Sequence, residues 1–168
     1  MEVHLCIVDS GADSHVGGLQ EWLPLVDLNG SCIIHVNVVG YCHETTKKNG
    51  LPVGDMVTKV TTRDGKVKFL RAKHMMVNAN SKHTSLNPHQ MRQLGHIVDD
   101  VSTKHLKSPT EHGTQTIQTD TGETIDLEIR AALSTFAISR PSIEEWQSAN
   151  PKDIIEISPP NGNPHKTS

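Results

Sequence analysis

Leu5-Cys6-Ile7-Val8-Asp9-Ser10-Gly11-Ala12-Asp13-Ser14-His15-Val16-Gly17-Gly18 is the stretch on which the reading of the fold turns. It opens with an apolar, partly β-branched run of the length of a buried strand. The run stops at a carboxylate, followed by a hydroxyl, a glycine and a small residue. Asp, Ser and Gly are also favoured turn formers, so an ordinary turn accounts for the same letters. Burial separates the two readings. A carboxylate at the end of a core strand is costly to desolvate unless it is hydrogen-bonded or shares a proton.

Composition limits what surrounds this stretch. Leu, Ile, Val and Phe number 40 of 168 residues, above the range of disordered chains. The core they build is aliphatic, because Trp22, Tyr41, Phe69, Phe136 and Trp146 are the whole aromatic complement. A chain of this size buries proportionally little surface, so a partner subunit matters for its stability. The formal charge is −3, with both signs mixed and no basic stripe; direct nucleic-acid binding is therefore not expected. Cys6, Cys32 and Cys42 are an odd set without paired spacing, which points to a reducing compartment rather than a disulfide framework. No apolar stretch is long enough to span a membrane. The start lacks a basic region followed by an apolar one, so no signal peptide is expected. A strand that begins almost at residue 1 is expected of a segment cut from a longer chain.

Working outward, residues 3–8 are read as the first strand and 14–18 as a short glycine-ended piece. Trp22-Leu23-Pro24-Leu25 is an apolar bend against the core. An Asn-Gly hairpin signal lies in 27–31, followed by a strand over 32–39. Residues 43–52 are polar and turn-rich. Runs at 55–62 and 66–72 flank Arg63-Asp64-Gly65 as a hairpin, and 74–78 is a further strand. Asn87, Pro88, Gln90 and Gly95 are the cap, first turn and stop of a short helix. Residues 99–113 are a polar loop. Runs at 114–119 and 124–129 make a second hairpin around Asp120-Thr121-Gly122-Glu123, and 133–138 is another strand. Ser142-Ile143-Glu144-Glu145 is a capping box. The expected organisation is a core over 1–98, an extension with a hairpin and short helix over 99–149, and a Pro/Asn-rich disordered tail over 150–168. The fold class is mostly β, hairpin after hairpin, with short helices.

The chemistry follows from counting carboxylates. Two acids a few ångströms apart split their titrations and share one proton, so one activates water while the other protonates a carbonyl oxygen. The chain offers one such element at a strand end. Asp120-Thr121-Gly122-Glu123 is preceded by Gln118-Thr119 and closed by a charge, and is read as a turn. The missing partner of Asp9 would then come from a second copy of the chain across a two-fold axis. Ser10 could bond across that axis, Gly11 lets the backbone approach closely, and Ala12 is small enough for a crowded centre.

Ile7-Val8-Asp9-Ser10-Gly11-Ala12 resembles the catalytic element of the retropepsin-like aspartic proteases. The longer Asp9-Ser10-Gly11-Ala12-Asp13-Ser14-His15 is similar to the protease segment of Ty1/copia-type retrotransposon polyproteins. Gly50-Leu51-Pro52, Asp64-Gly65, and Thr84-Ser85-Leu86 with Gln90, Arg92 and Gly95 extend the likeness. It covers residues 3–98 well and 99–146 loosely. The resemblance implies a retropepsin-like acid protease fold with one lobe per chain, a homodimer, and cleavage of the element's own gag-pol polyprotein. It implies Asp9 as catalytic carboxylate, Ser10 as the residue locking the two active loops, and Gly11 as the tight backbone position. Residues 40–54 would supply a flap over an extended polypeptide substrate. No metal or cofactor is implied, and the setting is cytoplasmic, within virus-like particles.

Other readings stand beside this one. His74, His83, His89, His96, His105 and His112 are scattered with no Cys-x-x-Cys, so solvated loop histidines are expected rather than zinc. Cys6, inside the apolar strand, is an inert core thiol. Lys47-Lys48 is a solvated loop. The Asp9–Ser14 spacing also matches a phosphorylation-dependent degradation signal, which needs an accessible peptide. The alternative of a different class is a catalytically inactive retroelement-derived domain serving as a scaffold or interaction module.

Overall fold

The apolar run before Asp9 is an inner strand, β1 (His4–Val8), with Cys6 and Val8 buried. The structure is a computed structural model and describes residues 4–11, 14–25, 33–34, 51–79, 81, 83–99 and 115–159. After β1 come β2 (Val16–Gly17), β3 (Leu23–Pro24), β4 (Ile33–Ile34), and the long strands β5 (Leu51–Thr61) and β6 (Val67–Val77). Then follow β7 (Thr84–Leu86), helix α1 (Pro88–Gln93), β8 (Ile97–Asp99), β9 (Thr116–Gln118) and β10 (Thr124–Asp126). The chain continues through β11 (Glu128–Arg130), β12 (Leu133–Ile138), helix α2 (Ile143–Gln147), a 3-10 turn (Pro151–Asp153) and β13 (Ile154–Glu156). The described residues are thus mostly β, as expected.

One mixed sheet runs in the order β11-β12-β1-β7-β2-β6-β5-β3, with β13 beside β6 and β4 beside β5. β1 is flanked on both sides. β12 pairs with it antiparallel along its whole length, with Cys6 opposite Phe136, and β7 pairs parallel, with Val8 opposite Leu86. β8, β9 and β10 form a small antiparallel sheet. Cys6, Val8, Trp22, Leu86, Phe136 and Ile155 belong to one buried cluster, in which Met56, Met75 and Met91 also sit. Unbranched thioether chains fill irregular gaps that an aromatic-poor sequence leaves. A second cluster holds Leu23, Val57 and Phe69 under Trp146, whose ring meets Phe69 edge-on at 5.7 Å.

Local signals in the sequence are met where they rest on backbone chemistry. Gly65 and Gly122 take positive φ in the two hairpin turns, and Gly95 does so after α1. Asn87 caps α1 by accepting from His89 and Gln90 amides, and the Ser142 capping box is complete on both sides. Other expectations need correction. Residues 66–72 and 74–78 are one strand, β6, bent at a bulge where His74 has a φ of 57° and its N–H donates to Asp55 Oδ1. The run 124–129 is split after Leu127, whose N–H still reaches Gln115 O beside β9, while Glu128–Arg130 leave to pair with β12. Residues 150–159 are no disordered tail. Asn150 caps the 3-10 turn, β13 adds parallel to β6, and Ile155 and Ile157 are each 2% exposed. Pro151 opens the 3-10 turn before that strand, where a missing N–H costs nothing. The division at residue 99 falls inside β8, and β12 beyond it is the full-length neighbour of β1. The hairpin signal at 27–31 and the loop at 100–113 lie outside the described residues.

The two-residue turn between β11 and β12 places Ala131 and Ala132 at φ of 50° and 66°. That is the geometry that favours Asn-Gly, and a Cβ there costs roughly 1 kcal/mol. Ala132→Gly is expected to raise the urea midpoint by an amount equivalent to about 0.5–1 kcal/mol, part of the relief being lost to the freer unfolded chain. An unchanged or lower midpoint contradicts the turn.

Candidate active site

Asp9 is the first residue past β1, and two hydrogen bonds fix it. Its N–H donates to Leu86 O at 2.9 Å, continuing the parallel β1–β7 ladder by one step. Its Oδ1 accepts from Gly11 N–H at 2.9 Å. Asp9 is half-buried, while Ser10 and Gly11 are exposed. A Cβ at Gly11 would lie 3.2 Å from Asp9 Oδ1. Any side chain there would push the carboxylate by a few tenths of an ångström. A small residue is thus required by the acid, not by backbone strain. Leu86, beneath, is wholly buried. The arrangement presents one carboxylate at the rim of the sheet, held on one oxygen by a backbone amide. Ala12 and Asp13 lie outside the described residues, as do 40–50 of the expected flap; Leu51–Gly54 begin β5.

The segment after the Asp9 turn is anchored by a histidine, His15, buried beneath the surface. His15 is 1% exposed. Its Nδ1 accepts from Asn87 N–H at 2.9 Å and its Nε2–H donates to Ile157 O at 2.7 Å. Its own carbonyl accepts from Met76 N–H. Because a backbone amide can only donate, the ring is the neutral Nε2–H tautomer. Burial lowers its pKa to about 4, opposed in part by the bond to Ile157. Ser14-His15 stands in the opening stretch, but nothing local marks that ring as buried.

Glu21 is a second hidden group. It has no exposed surface and accepts at 3.4 Å from the Thr84 hydroxyl, which itself accepts from Trp22 Nε1–H at 2.7 Å. Burial raises its pKa, and neighbouring donors and His4 only partly oppose that. Cys6 is fully buried; burial, then Glu21, pushes its thiol well up. It is the inert core thiol expected. Ser14 is 2% exposed, which removes the accessible peptide that a degradation signal needs. Asp120–Gly122 is a hairpin turn, with Thr119 N–H donating to Glu123 O. Among the described residues no group of three or more His, Cys, Asp or Glu side chains could hold a metal ion. His105 and His112 fall outside them. A cavity of about 500 Å³ opens beside Leu5, Val60, Arg63, Asp126 and Phe136, and neither Asp9 nor Ser10 lines it. No described helix is long and apolar enough to cross a membrane. No family model, curated protein or solved structure matches the chain.

Proposed function

We propose that the chain is one half of a retropepsin-like aspartic endopeptidase, completed by a second copy of itself. The observation that carries the reading is Asp9: the residue at which an inner strand ends, tied to Leu86 O by its amide and steered by Gly11 N–H. A carboxylate so placed, at the rim rather than in the core, is free to meet its mate across a two-fold axis. Two Asp9 carboxyls sharing one proton then divide the work. The ionised one takes a proton from water as the water oxygen attacks the peptide carbonyl. The protonated one gives its proton to the carbonyl oxygen. Collapse of the tetrahedral intermediate returns a proton to the leaving amine and breaks the C–N bond.

Ser10, exposed next to the acid, is the residue proposed to lock the two active loops. The substrate is an extended polypeptide bound through its backbone, by the sequence resemblance the gag-pol polyprotein of a copia-type element, processed in the cytoplasm within virus-like particles. The mechanism forms no covalent enzyme intermediate. Peptide hydrolysis over about pH 4 to 7 with hydroxylamine present is therefore expected to give free carboxylate products only. A hydroxamate product would mean a nucleophilic side chain and would sink the water mechanism.

A further inference from the structure

Two buried imidazoles hold the C-terminal strand in the same way. His15 Nε2–H donates to Ile157 O, and His96 Nε2–H donates to Glu156 O at 2.5 Å. Each ring accepts at Nδ1 from a backbone amide of another element, Asn87 for His15 and Asp120 for His96. His15 is the one that reaches the candidate site. Asn87 follows Leu86, whose carbonyl receives the Asp9 amide. One ring therefore joins the turn after Asp9, the strand beneath it and the end of β13.

We propose that His15 is a positioning residue for the Asp9 turn, a neutral imidazole that clasps the turn to β7 and to the C-terminal strand and lets go of β7 when protonated. As a role in catalysis this rests on the protease reading; as a clasp it does not. A proton on Nδ1 would set N–H against the Asn87 N–H, and no rotation of the buried ring restores an acceptor there. Among the described residues no charged side chain bonds to the ring. The contacts of His15 are the backbone groups of Met76, Asn87 and Ile157. The charged groups of those elements are engaged or turned elsewhere: Glu156 is paired with Arg71, Asp9 with Gly11 N–H, Arg92 with Val98 O, and His89 is exposed. Lys73 and His74 are half-buried on β6.

The direction with pH follows. The unfolded chain takes up the proton near 6.5 and the folded chain only near 4. Between these values the unfolded state binds more protons, so stability is intact above 6.5 and lost as pH falls toward 4. From this group alone the folding equilibrium constant drops about a hundred-fold from pH 7 to pH 4.

The test uses the full chain and two isosteres that do not titrate. Asn places an acceptor where Nδ1 was; Gln places a donor where Nε2 was. Imidazole nitrogen NMR of the wild type at pH 7 is expected to show a bare Nδ1 on His15. Exchange protection of the Asp9 and Asn87 amides, corrected for intrinsic rate, is expected to fall by up to about a hundred-fold from pH 7 to 4 in wild type, and by less than about threefold in His15→Asn. At pH 7, His15→Gln is expected to lose kcat about tenfold at unchanged KM, with His15→Asn within about threefold of wild type, each factor of ten being 1.36 kcal/mol. A proton on Nδ1 at pH 7, equal pH dependence in wild type and His15→Asn, or equal kcat in all three chains overturns the proposal. If the wild-type chain cleaves nothing, the protease reading fails by itself, and the NMR and exchange results still decide the clasp.

Discussion

Asp9→Asn is expected to lower peptide hydrolysis at least about a thousand-fold while leaving the chain folded. Positioned acid–base catalysis is worth about 10²–10⁴ in rate, and in a two-fold dimer one substitution removes both carboxylates. No group remains to take the proton from water. Stability should hardly change, because the Asn carbonyl still accepts from Gly11 N–H, now 2.9 Å from Oδ1. Trading an ionic acceptor for a neutral one in a half-buried site costs less than about 1 kcal/mol. The dimer should associate at least as well, since the like-charge conflict at its axis is gone. The check is initial rate on an extended peptide, with circular dichroism and urea midpoints alongside. Retained activity would remove Asp9 from the chemistry. Lost activity together with lost folding would show Asp9 to be structural.

Trp22→Ala is expected to be the most destabilising single change near the site, at about 3–5 kcal/mol. Trp22 has no exposed surface, and its Nε1–H donates to Thr84 Oγ1 at 2.7 Å. Gly17 on β2 makes room for it: a Cβ there would lie 2.7 Å from Trp22 Nε1 and 2.4 Å from Met75 Cε. The indole thus sets the spacing of β7, β2 and β6, which follow β1 in that order across the sheet. Against a typical total of 5–15 kcal/mol, its removal takes a large share of the stability. Trp22→Phe separates the two contributions. It keeps most of the ring and loses the indole N–H, at an expected cost of about 1–2 kcal/mol. Urea unfolding at pH 7, above the titration of His15, measures both. A Trp22→Ala loss under about 1 kcal/mol would show that this part of the core is not packed as described.

Hairpin turns and helix caps were legible in the sequence because each rests on a few neighbouring residues. Gly65, Asn87, Gly122 and Ser142 do locally what their chemistry allows anywhere. The environment of Asp9 was only half legible. The strand before it and the turn after it are local facts. Its pairing with β7 and β12 joins residues 6, 84 and 136, and alternation alone cannot select a partner strand. His15 and Glu21 were invisible for the same reason. A histidine or a glutamate is buried by what distant segments place around it, here Asn87 with Ile157, and Thr84 with Trp22. The C-terminal segment misled through composition. Pro151, Pro159 and Pro160 suggest a tail, yet the apolar Ile154-Ile155 between them pairs with Phe69 and Leu70. Three residues are too few for periodicity to register, and the tertiary pairing decides.

The most direct measurement of a shared Asp9 site is hydrolysis per wild-type chain as the chain is diluted and as the Asp9→Asn chain is mixed in. For a site built from two chains, the rate per chain falls in proportion to concentration below the dimer dissociation constant. Above it, a threefold excess of the Asp9→Asn chain is expected to leave about a quarter of the activity per wild-type chain, because on random assortment about one wild-type chain in four finds a wild-type partner. A rate per chain that is constant on dilution and unchanged by the variant would contradict a site made of two Asp9 residues.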